Sequence, residues 1–374
     1  MSTDSDQRKI PYVNVARQHT PLKRELLAEI ERVLDHGGFI LGPQVGEFEC
    51  EFARLVRVQF AIGVNSGTDA IVMSLRALGI GPGDEVITAV NSFVASASAI
   101  ALVGARPVLV DVREDYNIDP SGLEYAITPR TRAVIPVHLT GRPADMDAIM
   151  AVALRHKLLV VEDAAQAVAA EYRGQPVGSF GEVGCFSLHP LKTLNACGDG
   201  GVIVTRDTEL ARKIHLLRNL GLETRENAVL WSSNSRLDTI QAAMLLVKLK
   251  YLEAWTERRR EIARFYRQRL AGVPGVQIPE ETPDTRCVYH TFVIQCDQRD
   301  QLRQFLAEHG IGSQIHYPMP IHLQKAAAGL GYKAGDFPVA ERQARRILSL
   351  PIYPELTESE LERVVSVIRL FFGA

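Results

Sequence analysis

The chain has 374 residues, 46% hydrophobic and 23% charged, with 42 basic against 44 acidic side chains and a formal net charge of −2. This is the balance of a globular protein with a large core, and it excludes the strongly basic surface of a nucleic-acid binder. The polar start MSTDSDQRKIPYVNVARQ lacks the apolar stretch of a secretory signal, no run is long and apolar enough to span a bilayer, and five scattered cysteines without a CxxC pair argue against a disulfide framework or a zinc site. A cytoplasmic protein is expected.

In chain order, TPLKRELLAEIERVLDHGGFILGP predicts a helix capped by Thr20, with Pro21 in its first turn. Apolar residues recur there at Leu22, Leu26, Ile30 and Val33, and Gly37-Gly38 closes it. Strand-like and helix-like runs then alternate: FAIGVN before DAIVMSLRALG, DEVITA before SASAIALVG, then RPVLVDV, AVIPVHL and KLLVVED. Several of these runs are apolar throughout, as strands are when helices cover both faces of a mostly parallel sheet. CFSL and GVIVT follow, flanking a turn that carries Lys192. From Leu237 the helical signal lengthens, CVYHTFVIQC and GSQIHYP read as antiparallel strands, and a last helix starts at Thr357 with Glu360 in a capping box. The expected architecture is a large α/β domain over residues 1–250 and a small α+β domain over 251–374.

Ligands of open α/β sheets sit beyond the carboxyl ends of the strands. GVNSGTDAIVM runs a strand through Ser66, Gly67 and Thr68 straight into a helix, an anion cradle of small residues and free N–H groups; by itself the pattern is equally a helix cap. LLVVEDAAQAVAAEY ends a strand in Glu162 and Asp163, and a carboxylate there could keep a heterocyclic nitrogen protonated. Lys192 follows 29 residues after Asp163, and Gly198, Asp199, Gly200 and Gly201 let its turn approach a ligand closely. Acid, lysine and phosphate cradle in this order match the protein's share of pyridoxal phosphate (PLP) chemistry, where a lysine forms the Schiff base and an acid pairs with the pyridine nitrogen. His138 reads as a core or near-site histidine, Cys185 and His189 as ordinary packing, and TERRREIARFYRQR as a solvated helix face.

The motifs GGFILGPQVGEFECEFA, NSGTDAI, NSFVASASAI, PVHLTGRPADMDAI, VEDAAQA, FSLHPLKTLNACGDGG, NSRLDTIQAA, HYPMPIHLQ and LSLPIYPELT span nearly the whole chain. In this order the sequence resembles the DegT/DnrJ/EryC1/StrS sugar aminotransferases, which have PLP fold type I. The resemblance implies that Lys192 is the Schiff-base lysine and Asp163 the partner of the pyridine nitrogen. It also implies that Gln166 contacts the cofactor's phenolic oxygen, that Gly67, Thr68 and Ser187 hold its phosphate, and that Phe93 stacks on its ring. Asn234 matches an asparagine that reaches the phosphate of a neighbouring subunit, which implies a homodimer with shared sites. Arg236, His316 and Tyr317 match positions near the nucleotide-sugar. Asp199 stands where a glutamate is commoner, and Ser232-Ser233 where glycine and an aromatic are frequent.

The expected activity is transfer of an amino group from an amino acid, glutamate first, to a nucleotide-linked keto-sugar. HYPMPIHLQ and GDGG resemble members that aminate C3, so a UDP-3-keto-N-acetylglucosamine-type substrate for lipopolysaccharide or lipid A comes first. A dTDP-3-keto- or 4-keto-6-deoxy sugar, a keto-cyclitol and a PLP-binding regulator without turnover are the alternatives; a lysine at 192 speaks against the last.

Overall fold

Five-residue apolar runs separated by helices build the centre of the molecule. The structure, a computed structural model, describes residues 9–374; the first eight residues of the polar start, read above for a signal, lie outside it. The strands are β1 (Phe60–Val64), β2 (Glu85–Ala89), β3 (Arg106–Val110), β4 (Thr131–Ile135), β5 (Leu159–Asp163), β6 (Val183–Ser187) and β7 (Gly201–Thr205). They form one sheet in the order β1-β7-β6-β5-β4-β2-β3. β7 runs antiparallel to both β1 and β6, and the other neighbours pair in parallel. The sheet is therefore mostly parallel, as the continuous apolar runs predict.

Both faces are covered. Successive residues of β6 point to opposite sides: Cys185 packs with Ile71, Val161 and Ile203, whereas Phe186 packs with Phe48, Phe52 and Val202. The Phe52 and Phe186 rings meet edge to face at 5.1 Å. The helices that bear on the site are α1 (Gly67–Ala77), α2 (Val94–Leu102), α3 (Thr239–Leu249) and α4 (Leu252–Leu270).

A separate core joins α4 to the C-terminal part of the chain. Ile262, Tyr266, Phe292, Leu348, Leu350 and Ile368 pack there, and Ile10 from the start of the chain packs with them. Strands β8 (Phe292–Gln295) and β9 (Ile347–Leu350) pair antiparallel in this lobe. The final helix, Glu358–Phe372, carries the full capping box of Thr357 and Glu360.

Two local expectations fail. Thr20 does not cap the helix Lys23–His36; it ends the preceding helix Val15–His19, and its hydroxyl bonds back to the Ala16 carbonyl at 2.9 Å. The helix end is as read, with Gly37 at φ 65° donating to the Val33 carbonyl. GSQIHYP makes only one bridge, Gln314 to Ser349, because the chain then leaves the sheet to bring His316 and Tyr317 to a cavity. The charged face of α4 is largely ion-paired, with Arg258 to Glu261 and Arg260 to Glu257, but Arg259 turns inward to the Ile352 carbonyl at 2.6 Å.

Candidate active site

The carboxyl ends of β1, β5 and β6 open on a cavity of about 410 Å³. At its floor, Ser66 follows β1 and caps α1. Its Oγ accepts from the Asp69 N–H at 3.1 Å and its carbonyl from Ala70 at 3.0 Å. A helix cannot satisfy its own first N–H groups, so those of Gly67 and Thr68 are left at the cavity wall, with the positive end of the helix dipole behind them. Ser187 ends β6 beside them. Its Oγ accepts from the His189 N–H at 3.3 Å, which leaves the hydroxyl proton for an anion.

Two glycines make this cradle possible. A Cβ on Gly67 would lie 2.7 Å from the Ser187 Cβ, and one on Gly201 would lie 2.4 Å from the Ser66 carbonyl oxygen. Only bare backbone lets the start of α1 close on β6 and β7.

Asp163 and Glu162 are neighbours at the end of β5 and point to opposite sides of the strand. Asp163, 5% exposed, faces the cavity. Ser96 of α2 donates to its Oδ2 at 2.7 Å and the Ala165 N–H to its Oδ1 at 3.1 Å. Glu162 is spent on structure: it accepts from the N–H groups of Gly178, Phe180 and Gly181 at 2.7, 2.7 and 2.9 Å, and from His138 Nε2 at 3.1 Å. His138 Nδ1 accepts from the Ala144 N–H at 3.0 Å, so the proton sits on Nε2. His138 is thus a satisfied core histidine.

Lys192 lies in the turn between β6 and β7, its N–H bonded to the His189 carbonyl at 2.9 Å. Part of its side chain faces the cavity, yet the packing around it strips water from the amine and brings it down from 10.5 to about 8. The Asp163 carboxylate pulls the other way, towards the ammonium.

Opposite the cradle stand residues of the second lobe. Tyr317 accepts from Gln166 Nε2 at 3.2 Å, and Gln166 Oε1 accepts from the Thr140 N–H at 2.7 Å, so both ends of the Gln166 amide are fixed. Burial, reinforced by the Asp163 charge, pushes the Tyr317 hydroxyl up to about 12. The exposed ring of Phe93, just before α2, lies 5.4 Å from the Tyr317 ring. Phe93 is therefore a cavity residue and not a core one. His316 shares a hydrogen bond of 2.9 Å with the Ser349 hydroxyl, and burial, with the Lys192 charge adding to it, pushes its imidazole down to about 4.

Nine of the residues singled out in the sequence meet at this cavity: Gly67, Thr68, Phe93, Asp163, Gln166, Ser187, Lys192, His316 and Tyr317. Asn234 and Arg236 do not. Asn234 is exposed, and Arg236 donates to Asn219 Oδ1 at 2.8 Å. Two residues were missed. Ser96 orients Asp163 from inside a run of small helix residues, where only the carboxylate's need for a donor could have revealed it. His290 lines the cavity with an unpartnered, buried Nδ1, and burial and the Lys192 charge push it well below the usual histidine range. Nothing in YHTFVIQC distinguishes it from a strand residue.

The sequence profile of the DegT/DnrJ/EryC1/StrS aminotransferase family matches residues 21–369. The chain belongs to this family. The aminotransferase is 45% identical over 370 residues to a dTDP-3-amino-3,4,6-trideoxy-alpha-D-glucose transaminase of Streptomyces venezuelae, covering 99% of this chain and 98% of that one. It is 48% identical over 362 residues to a UDP-N-acetyl-3-dehydro-alpha-D-glucosamine 3-aminotransferase of Acidithiobacillus ferrooxidans, covering 96% and 97%. Its structure matches that of S. venezuelae DesV in complex with a ketimine intermediate at a TM-score of 0.96 and 45% identity, over 98% of this chain and 99% of that one. The fold is PLP fold type I, and the protein is a PLP-dependent sugar aminotransferase that acts on nucleotide-linked keto-sugars.

The residues fit the cofactor. Two free N–H groups at a helix start and a hydroxyl suit a phosphate, an anchored carboxylate suits a ring nitrogen, and a desolvated amine suits a carbonyl carbon.

Proposed function

We propose that the aminotransferase moves an amino group from an amino acid, glutamate first, onto C3 of a UDP-linked 3-keto sugar of the 2-acetamido type. Such a product would feed lipopolysaccharide and lipid A synthesis in the cytoplasm. The observation that carries the chemistry is the desolvated Lys192 amine sharing one cavity with the anchored Asp163 carboxylate. The choice of C3 and of the UDP type is supported by the relative at 48% identity, whose name specifies both. A dTDP-linked 3-keto deoxysugar is the second reading, favoured by the S. venezuelae transaminase and the match to DesV.

Bound PLP supplies a carbonyl that carries the amino group and a ring that takes up electron density. The chain's residues do the rest. Gly67, Thr68 and Ser187 would hold the phosphate, and Phe93 would cover the ring. Asp163, kept in place by Ser96 and Ala165, would hold a proton on the ring nitrogen through charge pairing. Gln166 would present its amide to the phenolic oxygen. Lys192, with its amine near 8, has a neutral fraction at working pH and would take and return the proton at the donor α-carbon. His316 and Tyr317 would line the sugar's path, with Arg236 nearer the nucleotide. Asn234, exposed and away from its own cavity, is assigned to the phosphate of a second copy, so the working form is a homodimer.

The test is incubation of PLP-loaded protein and glutamate with UDP- and dTDP-linked 3-keto and 4-keto sugars, read by mass spectrometry. An amino product from the UDP-3-keto sugar supports the proposal. Product from the dTDP-3-keto sugar alone moves the assignment to the second reading, and product from 4-keto sugars alone overturns C3.

A further inference from the structure

A second lysine lies near the Lys192 turn. Lys248, in α3, is 0% exposed. A cation so completely buried is costly unless its protons are taken up by acceptors. Its Nζ donates to the Asn195 carbonyl at 2.8 Å and to Asn195 Oδ1 at 2.6 Å, with Cys197 Sγ at 3.5 Å. Gln241, two turns earlier on the same helix face, accepts from the Cys197 N–H at 2.8 Å. One stripe of α3 thus grips residues 195–197 of the turn.

Asn195 passes that grip on. With its oxygen held by Lys248, its Nδ2 is free to face the other way. It donates to the Lys192 carbonyl at 3.1 Å and to Gln18 Oε1 at 3.0 Å. A rotated Asn195 would present oxygen to both carbonyl groups, so the ammonium fixes which end of the amide points at Lys192.

We propose that Lys248 is a positioning residue for Lys192: acting through Asn195, it locks the backbone of the lysine turn and so keeps the Lys192 amine in its dry, cavity-facing setting. This rests on the reading of Lys192 given above. Lys248 itself touches nothing in the cavity. Around Lys192 the charged and titratable groups are Asp163, His189, His290 and His316 on the cavity side, with Arg259 and Glu355 beneath the turn. Cys197 and His19 face Lys248. The variants below alter none of these groups.

The test is competitive acetylation of the full-length, cofactor-free chain across a pH series, with the Lys192 peptide followed by mass spectrometry. Lys248→Met should raise the Lys192 midpoint by about one pH unit, as loosening re-solvates the amine. Asn195→Ala should do the same although it leaves the Lys248 charge in place, which separates positioning from a direct charge effect. Gln241→Ala, which loosens the far end of the turn without touching Asn195, should leave the midpoint where it is. If Lys248→Met does not fold, Asn195→Ala decides. A folded Asn195→Ala with the wild-type midpoint overturns the proposal, as does an equal shift in Gln241→Ala. Borohydride fixation of PLP on wild-type protein tests the reading of Lys192 separately.

Discussion

Replacing Asp163 by asparagine keeps the shape of the side chain and removes its charge. The local structure can absorb the change. The Ala165 N–H fixes the remaining oxygen at the Oδ1 position, and the new amide nitrogen can donate to Ser96 Oγ, which has lone pairs to spare. Fold and thermal stability should therefore stay close to wild type. Catalysis should not. The lost contact is a charge-assisted bond to a carboxylate that is 5% exposed, comparable to breaking a buried ion pair, which costs about 3–5 kcal/mol. At 1.36 kcal/mol per decade the glutamate half-reaction should slow by roughly 200- to 5,000-fold, lowering kcat and kcat/KM together. Stopped-flow absorbance gives this rate directly. A second readout needs no turnover: Asp163 holds the Lys192 amine up, so its removal should lower the Lys192 acetylation midpoint below about 8 in the cofactor-free protein. A half-reaction at the wild-type rate, with that midpoint unmoved, would show that Asp163 only orders the end of β5.

Lys192→Ala should still bind PLP without a covalent link and lose transamination by several orders of magnitude; borohydride should fix cofactor on the Lys192 peptide of wild type only. Gly201→Ala places a methyl 2.4 Å from the Ser66 carbonyl and should lower stability by about 1–3 kcal/mol in urea titration while raising the KD for PLP; unchanged values would mean that the cradle is not closely packed. Sedimentation at assay concentration should show a dimer, and Asn234→Ala should weaken PLP binding with the dimer intact; a fully active monomer contradicts the shared site. His316 should contribute no titration to the activity profile between pH 6 and 8, since burial has already taken its imidazole down to about 4; loss of such a titration in His316→Gln would contradict this.

Much of this was legible in the sequence, for identifiable reasons. Buried parallel strands are apolar throughout, so VVED and CFSL announce both themselves and the sheet end where a ligand binds. Asp163, Lys192 and the Ser66 turn stand at three such ends, and covalent order suffices to place them together. Thr20 misled because Thr-Pro before an apolar stripe is a strong cap signal, yet the hydroxyl had a nearer acceptor in the preceding turn. GSQIHYP misled because alternation cannot show where a chain leaves a sheet. Ser96, His290 and Lys248 act through partners 67, 98 and 53 residues away, at Asp163, Lys192 and Asn195, and no local pattern carries that information.

The core of the second lobe contains a residue from the opposite end of the chain. Ile10 bridges to Ile311 and packs against Tyr266, Leu306 and Ile368. During synthesis this segment emerges first but finds its partners only after the rest of the chain has been made. The large sheet can form while Ile10 waits, and the second lobe closes last, when the N-terminal strand is drawn back across the finished sheet. Bulky N-terminal fusions therefore act on the final step of folding, and they act on the lobe that brings His290, His316 and Tyr317 to the cavity.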